Sequence, residues 1–481
     1  MKQLMIRWWA LAILMTLGVV SAHAAEVAWP ATDIATHARA WFDMLRGDDA
    51  AARQFLTDHM APSALVEASV EERLARRRSV IDRTGGLTPL GIVGSTPSSI
   101  DVRCAAGNGD RVVAMFAAEA DAPHRITSVR LSAQPPGDDT PPAPAGPALS
   151  DDAAAAAMRA TLNQRAAAGT WSGAALLARG DQVLVSGAWG EADREHHVRN
   201  SEATRFNVGS IGKLFTRAAL AQLAEAGKLS LDDRLSRFLP DFPNADSITL
   251  AMLCEHRSGV GDFFNDRYQA MDHSKLRHNH DYLQLIRDQP LWFKPGTNER
   301  YSNGGYVLLG EVIAKASGED YYDYMARHVW GAAGMSATSA PIEGDGTKGL
   351  AHGYTAKGGR SGEIDNIATR PARGSAAGGS YSTLADLLAF DRAVGRATLC
   401  GRDWSAWIVG GARPDRGGHA GTEPQGFGYA GGAPGLNAEW THEGDAVLIV
   451  LTNRDPETAK PPVQALQDIV RRLKPAGKRP S

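Results

Sequence analysis

The sequence predicts two folded units: a small α+β domain, then a larger α/β domain in which an antiparallel sheet is flanked by helices. Three observations predict this. Gln134–Pro147 carries six prolines in fourteen residues, which denies the chain helix and ladder hydrogen bonds and makes the stretch an extended linker. Before it, apolar residues alternate with period two. After it, β-rich runs stand at both ends with helical periodicity between them. The expected boundaries are residues 25–133 for the small domain, 134–149 for the linker and 150–475 for the large domain.

Residues 1–24 stand apart from both. Lys2 and Arg7 precede the apolar run Trp8–Val20, and Ala22-His23-Ala24 offers a small-x-small cleavage site. A run that short with such a site reads as a secretory signal peptide rather than a membrane span. The expectation is a periplasmic or secreted protein that meets the membrane only through this export signal. Cleavage removes two positive charges and takes the formal net charge from −3 to −5. That mildly acidic balance speaks against nucleic acid as a partner, which wants a concentrated basic face. The cysteines, Cys104, Cys254 and Cys400, are scattered and form neither a disulfide framework nor a CxxC metal site. At 43% hydrophobic residues, the core must hold the fold unaided.

In the small domain, Asp33 can cap a helix whose Ile34, Ala38, Trp41 and Leu45 share one face. A second helical run covers Val70–Arg77. Ile100, Val102 and Cys104 then alternate ahead of the turn Gly107-Asn108-Gly109-Asp110, Val112–Phe116 follows, and Ile126, Val129 and Leu131 end the piece. Helices followed by a curved antiparallel sheet resemble, in element order, the cone-shaped nuclear-transport-factor-like domains. No polar cluster there suggests catalysis, so an accessory or docking role is expected.

The large domain opens with a helix over Asp151–Ala168 and a hairpin in which Ala174–Ala178 and Gln182–Ser186 flank Arg179-Gly180-Asp181. Near its other end Ala446–Leu451 (AVLIVL) reads as a buried strand. Long helical segments follow Ser210, Asn303 and Thr383.

The stretch Asn207–Phe215 (NVGSIGKLF) admits two chemistries. A phosphate loop needs Gly five residues before the Gly-Lys pair and Ser or Thr directly after it, and those positions hold Asn207 and Leu214. The alternative is Ser-x-x-Lys at a helix start. Phe215, Ala218, Ala219 and Leu223 mark a helix from about Ser210, which sets Ser210 and Lys213 on one face. Free backbone N–H groups there stabilise an oxyanion. A buried Lys213 loses its proton more easily and can act as a base near neutral pH. Further along, Arg300–Tyr306 (RYSNGGY) begins another apolar helix and can project the Tyr301 phenol and the Asn303 amide into a shared cleft. Third comes Gly428–Asn437 (GYAGGAPGLN), a glycine-rich strand that lets a substrate backbone approach closely.

In this order the three motifs resemble the penicillin-recognising serine hydrolases, in the branch of class C β-lactamases, DD-peptidases, D-aminopeptidases and family VIII carboxylesterases. The resemblance covers roughly residues 155–455 and extends to text between the motifs, including AQLAEAGKLSLDDRLSRFLPDFPN, LCEHRSGVGDF and AAGGSYST. It implies a β-lactamase/transpeptidase-like fold and a cofactor-independent, metal-independent enzyme acting on a small ester, amide or peptide. It makes Ser210 the acylated nucleophile, Lys213 its base and Tyr301 the proton relay. Asn303 would contact Lys213 and the substrate, and the N–H groups of Ser210 and Gly432 would form the oxyanion hole. The sequence departs from the family where the third motif opens: Tyr429 stands where Lys or His is usual. Tyrosine is neutral at pH 7 and offers a substrate carboxylate no charge. An offset reading through His419-Ala420-Gly421 lacks the following Gly-rich, Pro-Gly strand. Ester or amide hydrolysis is therefore expected, with β-lactamase or D-amino-acid peptidase action, or a non-catalytic cell-wall-peptide-binding module, as the alternatives.

Other candidates have plainer readings. His273, His278 and His280 lie in a charged stretch without acidic or cysteine ligands at metal spacing, which suggests a solvated flap. His256 in EHRSG reads as holding a loop rather than as a base. Phe263, Phe264 and Trp292 fit either an acyl pocket or plain core.

Overall fold

The computed structural model describes residues 27, 29–66, 70–96, 99–107, 111–119, 123–133, 147–356, 362–416 and 426–474. The expected leader, most of the proline-rich tract, Asn108–Asp110 of the expected turn and His419 lie outside them. The chain divides into two compact units between Asp138 and Asp139.

In the first unit, α1 (Asp33–Arg46) buries Ile34, Ala38, Trp41 and Leu45 as their spacing predicts. Its cap is Thr32, not Asp33: the Thr32 side chain accepts from Ala35 N–H, and Asp33 becomes the first helical residue. A second helix, α2 (Asp49–His59), is capped by Asp48. After the short α3 (Pro62–Val66), α4 (Val70–Thr84) runs seven residues past the expected Arg77. The four strands β1 (Leu87–Thr96), β2 (Ser99–Ala106), β3 (Arg111–Ala118) and β4 (Ile126–Ala133) pair antiparallel in sequence order. Ile100, Val102 and Cys104 point from β2 into a core that includes Trp41, Phe42 and Phe116.

The second unit is built on a five-stranded antiparallel sheet. Its order is Gly426–Ala433, Leu436–Glu443, Ala446–Thr452, β5 (Gly173–Arg179) and β6 (Gln182–Trp189). First and last segments of the unit thus share one sheet, with Ala446–Thr452 pairing β5 along its full length. Both faces of the central strands are covered. On one, α5 (Asp151–Ala167) and the helix Pro456–Arg471 pack Met158, Leu162 and Leu466 against Leu177, Leu448 and Val450. On the other, α6 (Gly212–Glu225) brings Leu214 and Phe215 against the cluster containing Leu176, Ile449 and Trp440. That two-sided burial is why AVLIVL is continuously apolar instead of alternating. At roughly 25 cal/mol per Å² of apolar surface, such a face is the principal stabilisation available to the unit.

Candidate active site

Ser210 sits in the turn before the helix, not in the helix. Gly209–Ile211 is one 3-10 turn, and α6 starts at Gly212. The turn runs directly into α6, so the expected helix start at about Ser210 holds to within two residues. Asn207 Oδ1 accepts Gly209 N–H at 2.9 Å, and Gly209 takes φ +50°, so the chain is turned through a left-handed residue before it can wind.

The strand Gly426–Ala433 runs along this turn at backbone contact. A Cβ on Gly431 would fall 2.1 Å from Val208 O and 2.9 Å from Ser210 N, while one on Gly209 would fall 3.1 Å from Gly432 N. No side chain fits the seam. The backbone of Gly431 and Gly432 is thereby brought against the turn that carries Ser210.

Lys213, one turn into the fold from Ser210, is 6% exposed. Its Nζ lies 3.2 Å from Ser210 Oγ and donates to Asn303 Oδ1 at 2.7 Å and Ala377 O at 2.6 Å. Burial pulls the amine down from 10.5 to about 7, and the Asp262 carboxylate acts weakly the other way. The amine is therefore half-deprotonated near neutrality. An uncharged amine has two N–H bonds and one lone pair. Asn303 Oδ1 and Ala377 O can only accept, so they take the two N–H groups and leave the lone pair facing Ser210 Oγ.

Tyr301 completes the group by donating its hydroxyl to Ser210 Oγ at 2.7 Å. The residue is 49% exposed, and desolvation pushes its phenol up to about 12. It is a phenol at neutral pH, not a phenolate, and so has no free proton-accepting charge to offer Ser210.

The motif's spacing follows from the helix it opens. Ser302 caps the helix Asn303–Ser317: its Oγ accepts from Gly305 N–H at 3.0 Å and donates to Gly261 O at 3.1 Å. Tyr301 consequently precedes the cap and Asn303 is the first helical residue, one on each side of it. His256 holds the same segment. Its backbone, at φ +58°, accepts Arg300 N–H through O at 2.9 Å, its Nδ1 accepts Ser302 N–H at 3.2 Å, and its ring lies 4.5 Å from that of Tyr301. Burial, aided by Lys213 and Arg217, lowers this imidazole to about 4 and keeps it a neutral acceptor.

The structure thus brings Ser210, Lys213, Tyr301, Asn303 and Gly432 into one place. Tyr429, on the same strand face as Gly431, is half-buried with its ring 5.9 Å from Phe427 and 6.3 Å from Trp440. Desolvation raises its phenol above the usual value, so it is uncharged. The nearby Arg217 guanidinium lies 4.3 Å over the Trp407 ring and donates to Trp407 O. Phe263 belongs to the core, Phe264 is 49% exposed, and Trp292 is covered by the Arg300 guanidinium at 3.8 Å. His273 Nε2 donates to Tyr268 O, 2.8 Å away, and its ring stacks on that of Tyr268. Among the described residues no His, Cys, Asp and Glu side chains converge as a metal set. A separate cleft of about 530 Å³, lined by residues of 192–204 and 341–352, contains no member of the Ser210 group.

Sequence reasoning missed three contributors: Asp262, the Ala377 carbonyl and Gly431. The carboxylate of Asp262 accepts from Asn303 N–H at 3.1 Å and from Asn303 Nδ2 at 2.9 Å.

Residues 158–470 match the family model described as Beta-lactamase. Penicillin-binding protein 4* of Bacillus subtilis (strain 168) is 32% identical over 170 residues, which are 35% of this chain and 38% of that protein. The chain spans about two fifths of the length of the curated relatives first matched, 40% and 38%. A penicillin binding protein from Bacillus halodurans superposes with a TM-score of 0.56 at 27% identity, covering 64% of this chain and 98% of that one. D-amino acid amidase from Ochrobactrum anthropi SV3 has the same TM-score, 0.56, at 21% identity, covering 66% and 98%, a likeness of fold. With the sheet, the turn at Ser210 and this match over most of the second unit, the chain belongs to the β-lactamase family.

Proposed function

We propose that the protein is an exported serine hydrolase that acts on esters or amides through an acyl-Ser210 intermediate. One observation carries the reading: Ser210 Oγ stands between Lys213 Nζ, 3.2 Å away, and the Tyr301 hydroxyl, 2.7 Å away. As Oγ attacks the acyl carbon, its proton passes to the Lys213 lone pair. The oxyanion is met by the Ser210 and Gly432 N–H groups. Collapse breaks the bond to the alcohol or amine, which leaves with a proton drawn from Lys213 through Tyr301. Water then attacks the acyl-serine and gives its proton to the same base, which returns it to Ser210 Oγ as the acyl–Oγ bond breaks and the acid leaves.

Tyr429 supports esters and uncharged amides over carboxylate-terminated substrates. The third motif presents a neutral phenol, and the neighbouring Arg217 is already engaged with Trp407. Export rests on the leader of residues 1–24, and amide turnover gains support from the fold shared with a D-amino acid amidase.

The test is labelling with an active-site fluorophosphonate alongside turnover of a chromogenic ester and a chromogenic cephalosporin. The expected result is labelling that is lost in Ser210→Ala, with the ester turned over far faster than the cephalosporin. Labelling that survives in Ser210→Ala removes the serine mechanism. No labelling at all favours a peptide-binding module, and efficient cephalosporin turnover favours a β-lactamase.

A further inference from the structure

The direction of the Asn303 amide decides which way the Lys213 lone pair points, and something must fix that direction. An amide presents oxygen on one side and NH2 on the other, and the two are nearly the same size. If NH2 faced Lys213, it would compete with Ser210 for the amine's lone pair. The carboxylate of Asp262 can only accept. It takes the Asn303 backbone N–H at 3.1 Å and the side-chain Nδ2 at 2.9 Å, while its other oxygen accepts Phe264 N–H at 3.0 Å. Nδ2 therefore faces Asp262, and Oδ1 faces Lys213 at 2.7 Å.

We propose that Asp262 is a positioning residue of the hydrolase: it locks the Asn303 amide with oxygen toward Lys213 and so aims the amine's lone pair at Ser210. The inference rests on the serine hydrolase reading for its catalytic meaning but on hydrogen-bond chemistry for its geometry. Nδ2 keeps a second hydrogen, and that one remains for a substrate carbonyl.

The Asp262 charge also opposes the effect of burial on the amine. Around Lys213 stand Tyr301 and Tyr306, with ring centroids 4.8 and 5.3 Å from Nζ, and the neutral His256. Arg217, one turn further along α6, acts on His256 and Tyr429. Against the burial that depresses the amine, the Asp262 charge holds it up. Removing the carboxylate charge moves the Lys213 titration to lower pH.

Two readouts test this on the full chain. In protein labelled with ε-13C lysine, the Lys213 resonance is identified by its loss in Lys213→Arg and followed against pH. In Asp262→Asn its midpoint is expected to fall by roughly one unit; an unchanged or raised midpoint overturns the proposal. Second, Asp262→Ala, which removes the acceptor as well as the charge, is expected to lower kcat by about tenfold with little change in KM, and to add less than about twofold to the loss in Asn303→Ala. Losses that multiply independently in the double variant overturn action through Asn303. Asp262→Ser, which drops the charge but keeps an acceptor, replaces Asp262→Asn if circular dichroism shows that variant unfolded. Activity that survives Ser210→Ala defeats the hydrolase reading alone, because the lysine titration is read without turnover.

Discussion

The two units are built alike and buried differently. Each places helices on an antiparallel sheet. Among the described residues, every buried side chain of the first unit's core is apolar, whereas the second unit buries Lys213, Ser302, Asn279, Asp386, Asp391 and other polar groups. Buried polar groups are costly unless paired, and a buried amine is costlier still. Most of those in the second unit are ordinary network members; Asp391, for instance, accepts from Trp440 Nε1 at 3.0 Å. Lys213 differs, because its burial alters its acid–base chemistry as well as its packing. The contrast teaches that the same domain plan can keep its core apolar, or can give up part of that stability to hold a reactive amine.

Substitutions break or sharpen this contrast, beginning with the amine itself. Lys213→Met removes the buried amine and is expected to lower kcat/KM for an ester by roughly a thousandfold or more. Steady-state kinetics on the purified variant check this, and retained turnover would mean the burial has no chemical purpose. Gly431→Ala forces a methyl to within 2.1 Å of Val208 O and spreads the seam that holds the two N–H donors. About a hundredfold loss in kcat is expected, with the global fold kept by circular dichroism. Tyr301→Phe removes only the 2.7 Å hydroxyl contact to Ser210. A loss of roughly ten- to a hundredfold is expected, larger for amides than for esters because the poorer leaving group needs the proton more. The smallest effect on turnover is expected in the first unit. Phe116→Ala empties a site 1% exposed, 5.4 Å from the Trp41 ring, and should cost about 3–5 kcal/mol of that unit's stability by denaturant melting. The change expected in kcat/KM is under about twofold.

What the sequence made legible follows the same division. Period and alternation revealed α1, β2, β3, the hairpin β5–β6 and AVLIVL, because each has an unbroken apolar face or run. Strand β1 was hidden by Pro89, Gly91 and Gly94, which sit at its two register shifts. Helix α2 buries only Ala52, Phe55 and Leu56, too sparse a stripe to recognise. Pro461 and Pro462 lie inside the C-terminal helix and read as breakers. At the site, Ser210, Lys213, Tyr301 and Asn303 were visible because side-chain chemistry recurs at fixed spacing. Ala377 contributes only a carbonyl, which leaves no residue-type signal, and the glycine-rich run around Gly431 signals a close backbone approach without saying that Val208 and Ser210 make it. Asp262 acts 41 residues before its partner, across a contact that only the fold creates.

The central claim is that burial makes Lys213 the neutral-range base for Ser210. Its pH dependence has a definite sign. Activity needs the uncharged amine, so kcat/KM rises as pH passes the lowered value of about 7, while Tyr301 stays protonated up to about 12. The direct measurement is the rate of Ser210 acylation by a chromogenic ester from pH 5 to 10. The account predicts a half-maximum near 7 and a plateau above about 8. A rate still climbing toward the ordinary lysine value of 10.5 would contradict it.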